Sequence, residues 1–154
     1  HVEILGCASV AIESHYIDRD HIEDHSVFYS KSLFPYPNHC RRLHFFSVDV
    51  ETVERRMRQV LTLGIKAGSD AYRAACHETS GDIYLGFCVI RPLAGSPVGR
   101  SALRGVGSQD LRDIGCSRSY VAHFAGVEWH VEGLAFQQQD VGVSACATTS
   151  RKRR

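Results

Sequence analysis

Polar and apolar positions recur along this chain with periods that divide it into short elements. Val2 to Ile12 is apolar and β-compatible, anchored by Ile4, Val10 and Ile12. From His15 to His25 the chain is dense in charge. There Ile17, Asp20, His21, Asp24, His25 and Phe28 fall at helical spacing, which predicts a short helix. Pro35 and Pro37 then turn the chain into a loop. Leu43 to Val48 reads as a short strand, and Asp49 after it is a good N-cap, its carboxylate able to accept from free amides of the next turn. Val50, Val53, Met57, Val60 and Leu61 follow at helical period, with Glu51, Glu54, Arg55, Arg56 and Arg58 on the wet side. Gly64 is the natural stop. A second helix is expected around Asp70 to His77.

Beyond Ile83 the period shortens. Ile83 to Ile90 is a nearly continuous apolar strand ended by Pro92, and Pro97 to Leu103 predicts another. Ser108 to Gly115 reads as loop. Tyr120 to Phe124, the turn Ala125-Gly126, and Val127 to Val131 make a hairpin, because apolar and polar side chains alternate on both sides of the turn. There is no internal repeat and no clear linker. The expectation is one α+β domain over residues 1–154, an antiparallel sheet with one or two packed helices.

Composition narrows the function classes. Eighteen basic against 17 acidic side chains leave a formal net charge of +1. That balance gives no electrostatic reason to expect nucleic acid or an anionic membrane as partner. The basic run Arg151 to Arg154 reads as a solvated tail. No stretch approaches the roughly 20 apolar residues that cross a bilayer. The first residues, His1 to Gly6, lack the basic region and cleavage site of a secretion signal. Cys7, Cys40, Cys76, Cys88, Cys116 and Cys146 form no C-x-x-C pair, so neither a zinc knuckle nor a redox dithiol is signalled. Scattered reduced cysteines point to a cytoplasmic compartment.

The segment richest in chemistry runs from Gly133 to Thr149. A strand ends in Gln137-Gln138-Gln139, a loop containing Gly142 follows, and Cys146-Ala147 opens what reads as a helix. A thiol at a helix N-terminus feels the positive end of the helix dipole, which favours thiolate and makes it a nucleophile. A glutamine shortly upstream can set its side-chain amide beside the cysteine's own backbone amide, and together these donors form an oxyanion hole for acyl transfer.

Glutamine, a short loop, then Cys-Ala at the start of a helix resembles the nucleophile region of papain-like cysteine peptidases, and within them the bacteriocin-processing branch and related bacterial proteins. Phe87 to Pro92 followed by Pro97 to Arg100 is similar to the region ahead of the cysteine in those proteins. The resemblance implies Cys146 as nucleophile, Gln139 or Gln138 as oxyanion donor, and a peptide or protein as substrate. It implies no cofactor and no metal. The family's histidine and its Asn or Asp partner lie downstream of the cysteine, and eight residues follow Cys146. The fold so implied is an incomplete papain-like domain with an N-terminal extension, truncated at its C-terminus and without turnover as this chain.

Two other patterns bear on chemistry. His21 and His25 are one helical turn apart, a spacing that can hold a divalent metal, but Ile22 stands where a zincin carries Glu, and a solvated polar face is the simpler account. His123 and His130 on the hairpin read as half-buried structural residues rather than a base. No phosphate loop, dinucleotide fingerprint or serine elbow occurs. The rival reading from a different class is a non-catalytic α+β interaction module, presenting a sheet edge or the Asp49–Leu63 helix to a partner.

Overall fold

The structure, a computed structural model, describes residues 5–33, 35–81, 83–105 and 117–138. In chain order these hold strand β1 (Ser9–Tyr16), helix α1 (Arg19–Val27), β2 (Cys40–Phe46), α2 (Val50–Thr62), α3 (Asp70–Gly81), β3 (Tyr84–Ile90), β4 (Ser101–Arg104), β5 (Arg118–Phe124) and β6 (Val127–Phe136). The strands form one six-stranded sheet in the order β1-β2-β3-β4-β6-β5. Helices set against an antiparallel sheet make the chain α+β, as its periodicity predicts. No helix among the described residues is long and apolar enough to cross a membrane.

Local chemistry explains where the elements start and stop. The Asp49 carboxylate accepts from the Thr52 amide at 2.8 Å and opens α2, which ends at Leu63 before Gly64 at φ +64°. Ser69 plays the same part for α3, its hydroxyl accepting from the Tyr72 amide at 3.2 Å. The helix therefore begins where the sequence suggests but runs on to Gly81. The charge-dense stretch divides differently from its periodicity. His15 and Tyr16 finish β1, and α1 begins only after Asp18, whose carboxylate accepts from the His21 amide at 2.8 Å. Tyr16 is held in the extended chain by Arg42, whose guanidinium lies 4.0 Å from the ring centre. The strand expected from Pro97 starts instead at Ser101. Pro97 has no amide proton for a ladder, and Val98 makes only an isolated bridge to Ile90.

The hairpin is read correctly from the sequence. Val121 faces His130, Ala122 faces Trp129 and His123 faces Glu128 across a turn in which Ala125 (φ 49°) and Gly126 (φ 79°) are both left-handed. That geometry matches the twist of the flanking strands.

The chain forms two compact units. The first comprises His1–Ala11, His44–Phe87 and Ala102–Ala135. Its core is aromatic: Phe46, Tyr84 and Trp129 pack with ring centres 5.0 to 5.4 Å apart. His44 stacks on Phe124 at 4.5 Å and shares a hydrogen bond of 2.8 Å with the Tyr84 hydroxyl. Val53 and Val60 of α2, with Tyr72 and Cys76 of α3, are buried in this unit. Each such side chain contributes about 1.5–3 kcal/mol by leaving water. Backbones approach closely here. A Cβ at Gly86 would overlap the Ala102 carbonyl and one at Gly133 the Leu103 carbonyl, so both positions demand glycine.

The second unit comprises Ile12–Leu43, Cys88–Ser101 and Phe136–Arg154. Its interior is unusually polar. Asp18, His21, Arg42, Arg91, Ser96 and Ser101 are buried beside Cys40, Val89 and Leu93. Burial of polar groups is tolerable only where each finds a partner. Arg42 bonds Glu13 at 2.5 Å, and Ser101 donates to the Cys88 sulfur at 3.3 Å.

Candidate functional site

Gln138 is the one residue of the expected catalytic set that falls among the described residues; Gln139 and Cys146 lie outside them. It is tied through both its main chain and its side chain. Its amide donates to the Val98 carbonyl at 3.0 Å and its carbonyl accepts from Arg91 Nη2 at 2.9 Å. Its side chain is engaged as well: Oε1 accepts from the Val98 amide at 3.2 Å, and Nε2 donates to the Gly95 carbonyl at 3.4 Å. The partner loop is itself braced by Arg91. The Arg91 amide donates to Pro97 O at 2.7 Å, its Nε to Ser96 O at 3.0 Å and its Nη2 to Val98 O at 3.3 Å. Arg91 is 4 % exposed, so a buried, always-charged fork is solvated here by carbonyl oxygens, with the Asp18 carboxylate close enough to interact with it. Arg91 and Pro92 are visible in the sequence as the end of a strand, but no local signal marks Arg91 as the clamp on Gln138.

Three of the described cysteines, Cys40, Cys76 and Cys88, are withdrawn from reagents. Burial pushes the Cys40 thiol up to about 12, with the Asp18 carboxylate adding to the shift. Burial also raises Cys88, against the hydrogen bond from Ser101. Cys76 is fully buried. The raised Cys40 and Cys88 thiols stay protonated near neutral pH, and Cys76 is shielded from reagents by its burial.

His21 and His25 do not gather as metal ligands. His21 Nε2 donates to the Pro37 carbonyl at 2.9 Å and His25 Nε2 to the Tyr36 carbonyl at 2.8 Å, their rings edge-on with centres 6.0 Å apart. Both imidazoles pin the loop after α1. No cluster of His, Cys, Asp and Glu suited to a metal occurs among the described residues.

A further group of titratable side chains meets in the first unit, and as a set it is not legible in the sequence. A cleft of about 330 Å³ is lined by His77 and Gly81 of α3, Arg104 of β4, Ser119 of β5, and His130, Val131 and Glu132 of β6. The rings of His77 and His130 are centred 5.4 Å apart. His130 Nε2 is buried, stands 3.8 Å from Glu128 Oε2 and has no hydrogen-bond partner among the described residues. Burial holds the His130 imidazole below its ordinary value of 6.5, the neighbouring His77 lowers it further, and Glu128 works in the opposite direction. The alternation Glu128, His130, Glu132 predicts that these three share one face of a strand, but nothing local announces His77 as their neighbour.

Compared with family models, curated proteins and solved structures, the chain matches none of them.

Proposed function

We propose that this chain is the region leading up to the nucleophile of a protein related to papain-like cysteine peptidases. In the full-length form Cys146 is the thiol nucleophile for acyl transfer from a peptide or protein substrate, and Gln139 is the oxyanion donor. The anchoring of Gln138 carries this reading. An oxyanion donor and a nucleophile work only when held to within about half an ångström of the reacting atoms, which needs a rigid lead-in. Arg91 and the 93–98 loop supply such a base immediately before Gln139. The same contacts divide the two glutamines: the side-chain amide of Gln138 is engaged by Val98 and Gly95, and the donor role passes to its neighbour. The raised thiols of Cys40 and Cys88 remove two competitors for the nucleophile's role. No histidine of this chain is assigned as base, so no turnover is expected from it alone.

The test is the pH dependence of iodoacetamide labelling at Cys146, read by peptide mass spectrometry. An activated thiol loses half its labelling rate well below the ordinary value of about 8.5, and Gln139→Ala leaves that value low while weakening binding of a peptide aldehyde. A Cys146 profile centred near 8.5, like that of an unfolded peptide, would sink the proposal. The module reading draws on the exposed Leu61 and Leu63 at the end of α2, and that outcome would favour it.

A further inference from the structure

Arg91 leaves part of its fork unused. A guanidinium donates from all three of its nitrogens. In Arg91, Nε gives its hydrogen to the Ser96 carbonyl, and Nη2 serves the Val98 and Gln138 carbonyls. Nη1 has no acceptor among the described residues. No carboxylate of those residues forms an ion pair with Arg91 either, and Asp18 acts on it only at longer range. A guanidinium that has left water with donors idle is costly unless an acceptor reaches them.

Arg91 also lines a pocket of about 270 Å³ within the second unit. Two stretches of chain form it: Ile90, Arg91 and Pro92 at the end of β3, and Pro37, His39 and Arg41 at the entry to β2. Its charged side chains are all basic, and the rest of that lining is apolar. The loop that carries Pro37 and His39 is fixed beforehand. His21 Nε2 holds the Pro37 carbonyl at 2.9 Å, His25 Nε2 holds the Tyr36 carbonyl at 2.8 Å, and the His39 ring stacks on His15 with centres 4.8 Å apart. A pocket whose wall is set in advance loses little freedom when a ligand arrives.

We propose that this pocket binds a small oxyanion, a phosphate or carboxylate carried on a short apolar group. Arg91 Nη1 is the buried donor, Arg41 and His39 supply positive charge and hydrogen bonds at the mouth, and Pro37, Ile90 and Pro92 pack the apolar part. Hydrogen bonds from a guanidinium to an oxyanion are charge-assisted and short, and they are stronger where water is excluded. The site stands whether or not Cys146 is a nucleophile, because none of its residues belongs to the peptidase reading's catalytic set.

The experiment is an NMR titration of the 154-residue chain with inorganic phosphate, isopropyl phosphate and isobutyrate at constant ionic strength. Saturable shifts are expected at the Cys40, Arg41 and Arg91 amides and at the Arg91 Nε–H. Isopropyl phosphate should bind several-fold more tightly than inorganic phosphate, and its comparison with isobutyrate tells which oxyanion the pocket prefers. Arg41→Glu, at an exposed position, should weaken binding about tenfold by reversing a charge at the mouth. Arg91→Lys keeps the charge but not the fork, and a folded chain carrying it should lose the saturable response. Shifts that never saturate or that scatter over other basic residues overturn the site. So do full affinity in Arg41→Glu or in a folded Arg91→Lys chain, and isopropyl phosphate binding no tighter than inorganic phosphate.

Discussion

Arg91 holds the main-chain carbonyl of Gln138 at 2.9 Å, across 47 positions of sequence. The contact ties the end of the last described strand to a loop laid down much earlier, and it uses a charge that has left water. Removing the guanidinium takes away its bonds to the carbonyls of Ser96, Val98 and Gln138 together. Arg91→Ala should cost about 2–4 kcal/mol in urea unfolding. Arg91→Lys should recover only part of it, since an ammonium cannot span the same fork. A variant as stable as the parent would show the clamp to be idle.

Ser80 gives a second measurable contact. Ser80→Ala leaves the His130 amide without its partner, which costs about 1–3 kcal/mol, offset by a few tenths from the better helix propensity of alanine. The expected outcome is a lower urea midpoint with an unchanged slope. A change in slope would mean instead that the compactness of one of the end states had altered.

Gly133 tests the close approach of backbones. Gly133→Ala drives a methyl into the Leu103 carbonyl and should destabilise by about 4 kcal/mol or more, enough to unfold a marginal domain. Gly81→Ala meets nothing within 4 Å and should move stability by less than about 1 kcal/mol. Circular dichroism melts of the two variants make the comparison.

Thiol chemistry provides a fourth check. Cys40, pushed up to about 12 by burial, and the fully buried Cys76 should resist iodoacetamide in the native protein and react only after denaturation. Cys7, half-exposed on the surface of the first unit, should label without denaturant. Native labelling of Cys40 at the rate of Cys7 would contradict the placement of β2.

The helices were legible because their signals are local. Asp49 caps α2 through an amide three residues away, and the 3.6-residue recurrence of Val53 and Val60 marks its buried face. The hairpin was legible for the same reason, as its turn and both strands lie within one short window. The polar stretch after β1 was only partly legible. Its helical spacing extends back through Ile17, but the cation over Tyr16 and the cap at Asp18 set the true boundary. Arg42 supplies the first of these from another strand.

The candidate site divides along the same line. The glutamines and Cys146 stand out in sequence because their order, glutamine, loop, then Cys-Ala, resembles the nucleophile region of papain-like peptidases. Gln138 as an anchor does not, since its partners Val98 and Gly95 are 40 and 43 residues away in the chain, a separation no window spans. The same holds for His77 and His130, brought to 5.4 Å by the packing of α3 on β6.

By itself the sequence determined the α+β class, the capped helix at Asp49 and the tight hairpin at Ala125-Gly126, because each depends on residues within a turn or two of one another. Tertiary structure alone decided that Arg91 clamps Gln138, that Ser80 of α3 bonds the His130 amide of β6, and that Gly133 must remain bare. Those outcomes depend on which side chains survive desolvation only by finding a partner. That choice is made between elements distant in the chain, when burial makes an unmatched polar group costly.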